Sequence, residues 1–446
     1  MSTPWLEPRG LLALVLLLLV LLPDAPFLSA HPVGPARSTG SAFAPEQLVG
    51  PTNDWEPVVA TDPSSHWVYQ AVTRMDHALR ACGRCPAPSI QVRASADDGA
   101  TWGRFGYLCP CPGVASQFDP QLQVARSGTI YAAFMNAFNP GPMLVTSRDH
   151  ARTWTRPLRL DGSLGYGDKP VLVISPSGRN VYVAFNDKLA SYVVASHTFG
   201  RSFSAPVRIN GNDHLWWFTY GGAIAPTGDI YFAQVGESGE HLDGLQRLAV
   251  LSCTARLSCD RTVFGTSNLA PLCPIRGCYA DFFAAQAAVA ADRRGTLAVA
   301  YSMNTVPHAA QRLYARTSAN GRTWSRPILV NDWGDSNFPV LAAGPMTGEF
   351  RLAWQDNRHG SRTSPLGGWN LWVRHTLDSG RSWSPPIRIS NRPGGAPYKH
   401  AAGYTFPHGD YFGLAVNASG RVFLIWGEAD GLALYCCGGA WFTRGV

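Results

Sequence analysis

Along most of this chain apolar and polar positions alternate with the period of two that marks a β-strand, and the strands come in pairs joined by a glycine turn. Leu122 and Val124 lead into Gly128 and then into Ile130, Tyr131, Ala132, Ala133 and Phe134. The same figure recurs around Gly178, Gly228 and Gly295, from Leu341 to Trp354, and around Gly420, with a looser first copy from Pro57 to Val72. No amphipathic run of helical period follows the N-terminal region. The pattern predicts an all-β protein of seven repeated units.

Five units also carry one turn phrase, Ser/Thr-x-Asp-x-Gly-x-Thr/Ser-Trp. The cleanest copy is Ser95, Asp97, Gly99, Thr101 and Trp102. The others are Ser147, Asp149, Ala151, Thr153, Trp154; Ser196, Thr198, Gly200, Ser202, Phe203; Thr317, Ala319, Gly321, Thr323, Trp324; and Thr376, Asp378, Gly380, Ser382, Trp383. The Asp accepts bonds from the following N–H groups, Gly supplies a positive φ, and Trp packs back over the hairpin. Where Asp is missing Gly remains, and where Gly is missing Asp remains. That is how a structural turn degrades, so these boxes read as scaffold and not as an active site.

The boxes close units with a period of about 45 to 55 residues, the range of β-propeller blades. The expected fold is an all-β propeller of four-stranded antiparallel blades, with seven favoured and six the alternative count. In the fourth unit the box position is taken by Cys253 and Cys259, a spacing that would staple the same hairpin. The seventh unit runs out at Val446 after three strands. Its missing outer strand is expected from Phe43 to Val49, which resembles the tails that end the other blades and would close the ring without an exposed edge.

Composition changes the picture in three places. Leu11 to Leu22 is one apolar run, preceded by Arg9 and followed by Leu28, Ser29 and Ala30. It is too short to span a bilayer and has the flanks of a secretory leader. Residues 1–30 are therefore expected to be a signal peptide, 31–42 a flexible segment and 43–446 a single propeller, which makes the protein secreted and free of the membrane after cleavage. A signal anchor is the alternative.

Ten cysteines in an exported chain point to disulfides, with Cys253/Cys259 and Cys273/Cys278 as local pairs. A four-thiolate zinc site at Cys82, Cys85, Cys109 and Cys111 is the competing reading. The net charge of +7 is spread over single arginines without basic blocks, which disfavours nucleic acid and suits an acidic glycan or a cell-envelope polymer. No cofactor is implied, although a structural calcium is compatible with the many Asp residues.

The repeat also maps the two faces of the ring. Segments leading into each first strand and loops after each second strand share the face opposite the boxes. Asp54, Asp119, Asp168, Asp335, Asn304, Asp356, Arg358 and Glu237 fall there, with Tyr166, Trp216, Trp217 and Trp333 as aromatic surfaces for sugar rings. Clustered carboxylates in a concave mouth are what glycoside chemistry needs. A turn-acceptor role is the plain alternative for the Asp residues that recur at equivalent positions.

With these residues in place, the chain resembles the Asp-box (BNR-repeat) sialidase-like β-propeller superfamily over nearly all of the region after the leader. Ala353 to Arg358 and Gly409 to Ala415 are similar to segments of secreted bacterial members. The resemblance implies glycan partners and, in catalytic members, an exo-acting hydrolase. It assigns Asp76 as acid/base, Glu237 as helper, Tyr404 as nucleophile, and Arg247 and Arg358 as clamps on a substrate carboxylate. Catalytic members also carry an arginine motif before the first inner strand, and Ser38 to Thr73 contains no arginine. A non-catalytic propeller that binds glycan, envelope polymer or protein is the alternative implied by the same motif.

Overall fold

The computed structural model describes residues 42–50, 54–75, 85–111, 114–187, 190–209, 215–238, 244–271, 284–358, 369–390, 411–429 and 438–446. The strands form seven four-stranded antiparallel sheets, and no helix occurs among the described residues. Blades one to seven begin with β2 (Asp54–Thr61), β6 (Gln117–Val124), β10 (Asp168–Ile174), β14 (Trp216–Ile224), β18 (Ala287–Ala291), β22 (Ser336–Ala343) and β26 (Gly413–Val416). Each of these first strands touches the next, and β26 touches β2, so the ring is closed. Residues from all seven line an axial cavity of about 230 Å³.

Second strands are buried on both faces, as in β7 (Ile130–Asn136) and β3 (Val68–Arg74). That explains why they read as near-continuous apolar runs. The core lies between blades: Tyr69 and Phe134 pack in one apolar cluster of blades one and two, and Phe423 and Phe442 join Val59 and Val68 between blades seven and one.

First strands share a bulge. Glu56, Asp119, Lys169 and Phe338 all take left-handed φ values of 50°, 53°, 48° and 55°, each directly before a proline and within a break of register. Left-handed non-glycine residues cost free energy of order 1–3 kcal/mol each. Their repetition marks a bend that every such blade needs to aim its first strand at the axis.

The closing strand is where the pattern placed it. β1 (Gln47–Leu48) is the outer strand of blade seven, with Gln47 opposite Phe442 and Leu48 opposite Trp441 of β28 (Gly438–Arg444). In blade four, Cys253 and Cys259 face each other across the hairpin and are joined by a disulfide. Cys109 is bonded to Cys111, and Cys85 is also disulfide-bonded, so these thiols are not a zinc site. Cys273 and Cys278 lie outside the described residues, as do residues 1–41. No group of three or more potential metal ligands occurs among the described residues.

The boxes sit between third and fourth strands and work as hydrogen-bonded turns. Asp97 accepts from the Thr101 N–H at 2.8 Å and its hydroxyl at 2.6 Å, while Ser95 Oγ accepts from Gly99 N at 2.9 Å. Asp149 and Asp378 repeat this with Thr153 and Ser382. In the second box Ala151 itself adopts φ 64° in place of glycine. The blade-five box differs from the expected alignment: Ser318 heads it, and Asn320 accepts from Thr323 N at 2.9 Å in the role assigned to Ala319. Trp102 reaches beyond its own hairpin and meets the Phe442 ring of blade seven edge-on at 5.1 Å.

These bonds hold Asp149 and Asp378, through Thr153 and Ser382, at about 2 from the ordinary 3.8. At Asp97 burial pushes upward but the Thr101 and Ser95 bonds outweigh it, again giving about 2. A depressed carboxyl adds stability above its unfolded value that is lost as pH falls through the folded one. The melting temperature is therefore expected to drop between about pH 4 and pH 2. A triple Asp→Ala variant should lack that component, and parallel curves for the two proteins would reject it.

Candidate functional site

On the face opposite the boxes, blades five and six enclose a pocket of about 540 Å³. Its walls are the loop after β19 (Leu297–Met303), the first residues of β20 (Arg312–Ser318), the connection from β21 (Ile328–Asn331) into β22, and Arg358 just beyond β23 (Phe350–Asp356). Trp333 stands at the rim with 65% of its surface exposed. Gly334, at φ 62°, lets this connection lie against blade six, since a Cβ there would fall 2.5 Å from Asn357 Oδ1 and 2.9 Å from Arg358 N. The loops are pinned by side chains. Asn304 Nδ2 donates to the carbonyls of Leu269 and Ala309, Asp335 N donates to Asn357 Oδ1 at 2.7 Å, and Gln311 N donates to Asp335 Oδ1 at 3.0 Å.

Arg358 is held from three sides. Its Nε donates to Asp356 Oδ1 at 2.9 Å, and its Nη2 donates to Asp356 Oδ2 at 2.6 Å and to Asn331 Oδ1 at 2.7 Å. The guanidinium lies 3.7 Å over the Trp372 ring. Asp356 is fully buried and also accepts from Trp354 Nε1 at 2.9 Å and Asn331 Nδ2 at 3.1 Å. Its lone pairs are consumed by this network, which makes it the residue that positions Arg358. The remaining Nη1 has no hydrogen-bond partner among the described residues.

A second guanidinium lies close by. Burial, followed by the charge of Arg358, lowers the pKa of Arg374, with Asp332 acting the other way. Arg374 Nε is buried and has no hydrogen-bond partner. Arg312 adds a guanidinium at the pocket wall, where Asp332 and Asp335 are the lining carboxylates among the described residues. Guanidinium groups at the wall and the exposed indole of Trp333 put charge-assisted donors beside a flat apolar surface.

The residues expected from the sequence are distributed unevenly. Asp76 and Tyr404 lie outside the described residues. Glu237 ends β15 (Ile230–Glu237), is 2% exposed, and accepts a 3.4 Å bond from Gln246 Nε2. Arg247 is exposed on β16 (Gln246–Cys253), opposite Gly236 and Thr266, and does not line the pocket of Arg358. Trp217 is fully buried with the Arg261 guanidinium 4.0 Å over its ring, a packing position. Trp216 is half-buried against Phe218 at 4.2 Å. The structure does bring together Trp333, Asn304, Asp335 and Arg358. Arg312 and Arg374 were not found by sequence reasoning. The available signal was the alternation of Arg312 with Tyr314 and of Trp372 with Arg374 along their strands, which puts each pair on one sheet face.

No family model matches the chain, and no curated protein does. Solved structures match it along most of its length. A protein of unknown function from Dyadobacter fermentans is 12% identical over 90% of this chain and 97% of its own, with a TM-score of 0.50. An ulvan lyase of polysaccharide lyase family PL25, solved with -[GlcA(1-4)Rha3S]- bound, is 10% identical over 89% of this chain and 94% of its own, with a TM-score of 0.52. The NanB sialidase from Streptococcus pneumoniae is 11% identical over 91% of this chain and 71% of its own, with a TM-score of 0.45. At these identities the likeness is one of fold alone.

Proposed function

We propose that this chain is a secreted, sialidase-like propeller that recognises acidic glycans through the pocket between blades five and six. The observation that carries the reading is the pairing of an exposed indole, Trp333, with the guanidinium groups of Arg358 and Arg312 in one pocket. A sugar ring stacks on an aromatic face, and a carboxylate or sulfate takes charge-assisted bonds from arginine. The apolar leader and the disulfides support export to an oxidising compartment. The bound polymer is glycan or cell-envelope material, and hydrolysis, where it occurs, falls to Asp76, Glu237 and Tyr404.

Binding is tested on an array of acidic and neutral glycans, and hydrolysis on a panel of fluorogenic glycosides that includes sialosides. Acidic sugars should be retained and neutral ones not. Trp333→Ala should weaken retention about tenfold and Arg312→Gln about ten- to hundredfold, the scale of a charge-assisted hydrogen bond. Equal retention of neutral sugars, or full binding by Arg312→Gln, rejects the acidic reading. Any sialoside release should vanish in Tyr404→Phe, and undiminished turnover would remove Tyr404 as nucleophile.

A further inference from the structure

Across the ring, the same box-free face carries a second aromatic surface between blades two and three. Phe138 follows the second strand of blade two, and Tyr166 precedes the first strand of blade three. Their rings stack at 5.3 Å and 10°, with Phe118 tilted beside them at 6.3 Å. Phe138 is 47% exposed. The backbone beneath is fixed: Gly167 N donates to Phe138 O at 3.0 Å, and a Cβ on Gly167 would lie 2.1 Å from Pro142 Cδ. No side chain other than hydrogen fits that contact, so the shelf is built in advance of any ligand.

The shelf has its own polar edge. The Tyr166 hydroxyl has no hydrogen-bond partner among the described residues, and burial, then Asp168 and Asp187, push its pKa up to about 12. Asp187 Oδ1 is buried and has no hydrogen-bond partner among the described residues. Here a phenol O–H stands on a flat ring in the field of Asp168 and Asp187. That suits the hydroxyl groups and apolar face of a pyranose, and the local negative charge does not suit its anionic substituent. The arginine pocket and this shelf therefore divide the recognition of a charged sugar chain between them.

Their spacing sets the size of the ligand. The two blade junctions are three blades apart in a ring of seven. Sheets pack about 10 Å apart, so a seven-blade ring has a circumference of about 70 Å and a diameter of about 20 Å at that radius. A single terminal sugar cannot touch both.

We propose that Phe138 and Tyr166 form a second sugar subsite, and that the ligand is an acidic oligosaccharide of several units that crosses the mouth of the axial cavity from Trp333 and Arg358 to this shelf. The inference rests on the acidic-glycan reading above and deepens it from an acidic sugar to an acidic chain. Linked contacts of this kind raise affinity without any new contact at either end, because the second becomes intramolecular.

The test compares oligogalacturonates of two and eight units by calorimetry, with heparin-derived oligosaccharides of the same lengths as a sulfated series. In the wild type the longer probe should bind at least tenfold tighter than the shorter in one of the two series. Phe138→Ala should collapse that ratio, Tyr166→Phe should reduce it with the ring retained, and Trp333→Ala should weaken both lengths. Thermal melting confirms that each variant is folded. A ratio near one in the wild type, or a ratio unchanged by Phe138→Ala, overturns the second subsite and leaves the first standing. Absence of binding to every probe overturns the acidic-glycan reading and this inference together.

Discussion

Replacing Asp356 by alanine should destabilise the protein by about 3–5 kcal/mol, the usual result of removing one partner of a buried ion pair. The carboxylate is fully buried and collects donors from Trp354, Asn331 and Arg358. Without it the Arg358 guanidinium, 11% exposed, keeps its charge without its counter-ion and in the field of Arg374. Trp354 Nε1 and Asn331 Nδ2 lose an acceptor in the same step. Denaturant unfolding of wild type and variant measures the loss, and a difference under about 1 kcal/mol would show the pair to be dispensable. Asp356→Leu with Arg358→Met should recover much of the stability, because an apolar pair leaves no buried charge. The recovered protein should still fail to retain acidic glycans, which separates the structural part of the pair from its part in recognition.

A chain lacking residues 42–49 should melt at markedly lower temperature and associate in a concentration-dependent way. The deletion removes the outer strand of blade seven, the bridge of Phe43 to Gly445, and the bonds of Ala44 N to Arg444 O and Val49 N to Ala440 O, both 2.8 Å. It also removes Thr443 Oγ1 donating to Ala44 O at 2.6 Å and the buried Val49 side chain. Each backbone bond contributes about 0.5–1.5 kcal/mol and the valine about 1.5–3 kcal/mol. β28 is left as an open edge, a template for pairing with another chain. Light scattering and thermal melting read both effects, and a synthetic peptide spanning 42–50 should reverse them. A truncated protein that stays monomeric with an unchanged melting point would show that the ring closes without this strand.

The propeller was legible because its causes are local. Alternating apolar residues, a glycine turn and an acceptor side chain three or four residues ahead of the N–H it serves all act within one hairpin, so Asp97, Asp149 and Asp378 appear in the sequence in the roles they fill. The closing strand was legible for the same reason, since Phe43 to Val49 repeats a tail seen elsewhere. The blade-five box was misaligned because the turn requires an acceptor at a certain position in space, which Asn320 supplies, and a letter pattern follows spacing instead.

The candidate site divides along the same line. The sequence by itself determined the hairpins, the faces and the ring, and favoured seven blades over six, because period-two burial and backbone hydrogen bonding are read one blade at a time. It also marked Trp333, Asp356 and Arg358 as belonging to the box-free face. Only the tertiary structure decided that Arg358 is locked by Asp356, that Arg312 and Arg374 stand near it, that Arg247 does not, and that Phe138 and Tyr166 stack across a blade boundary. Those relations depend on how neighbouring twisted sheets pack side by side and on the path of the loops between them. Residues distant in the chain meet there, and no periodicity within one blade encodes the meeting.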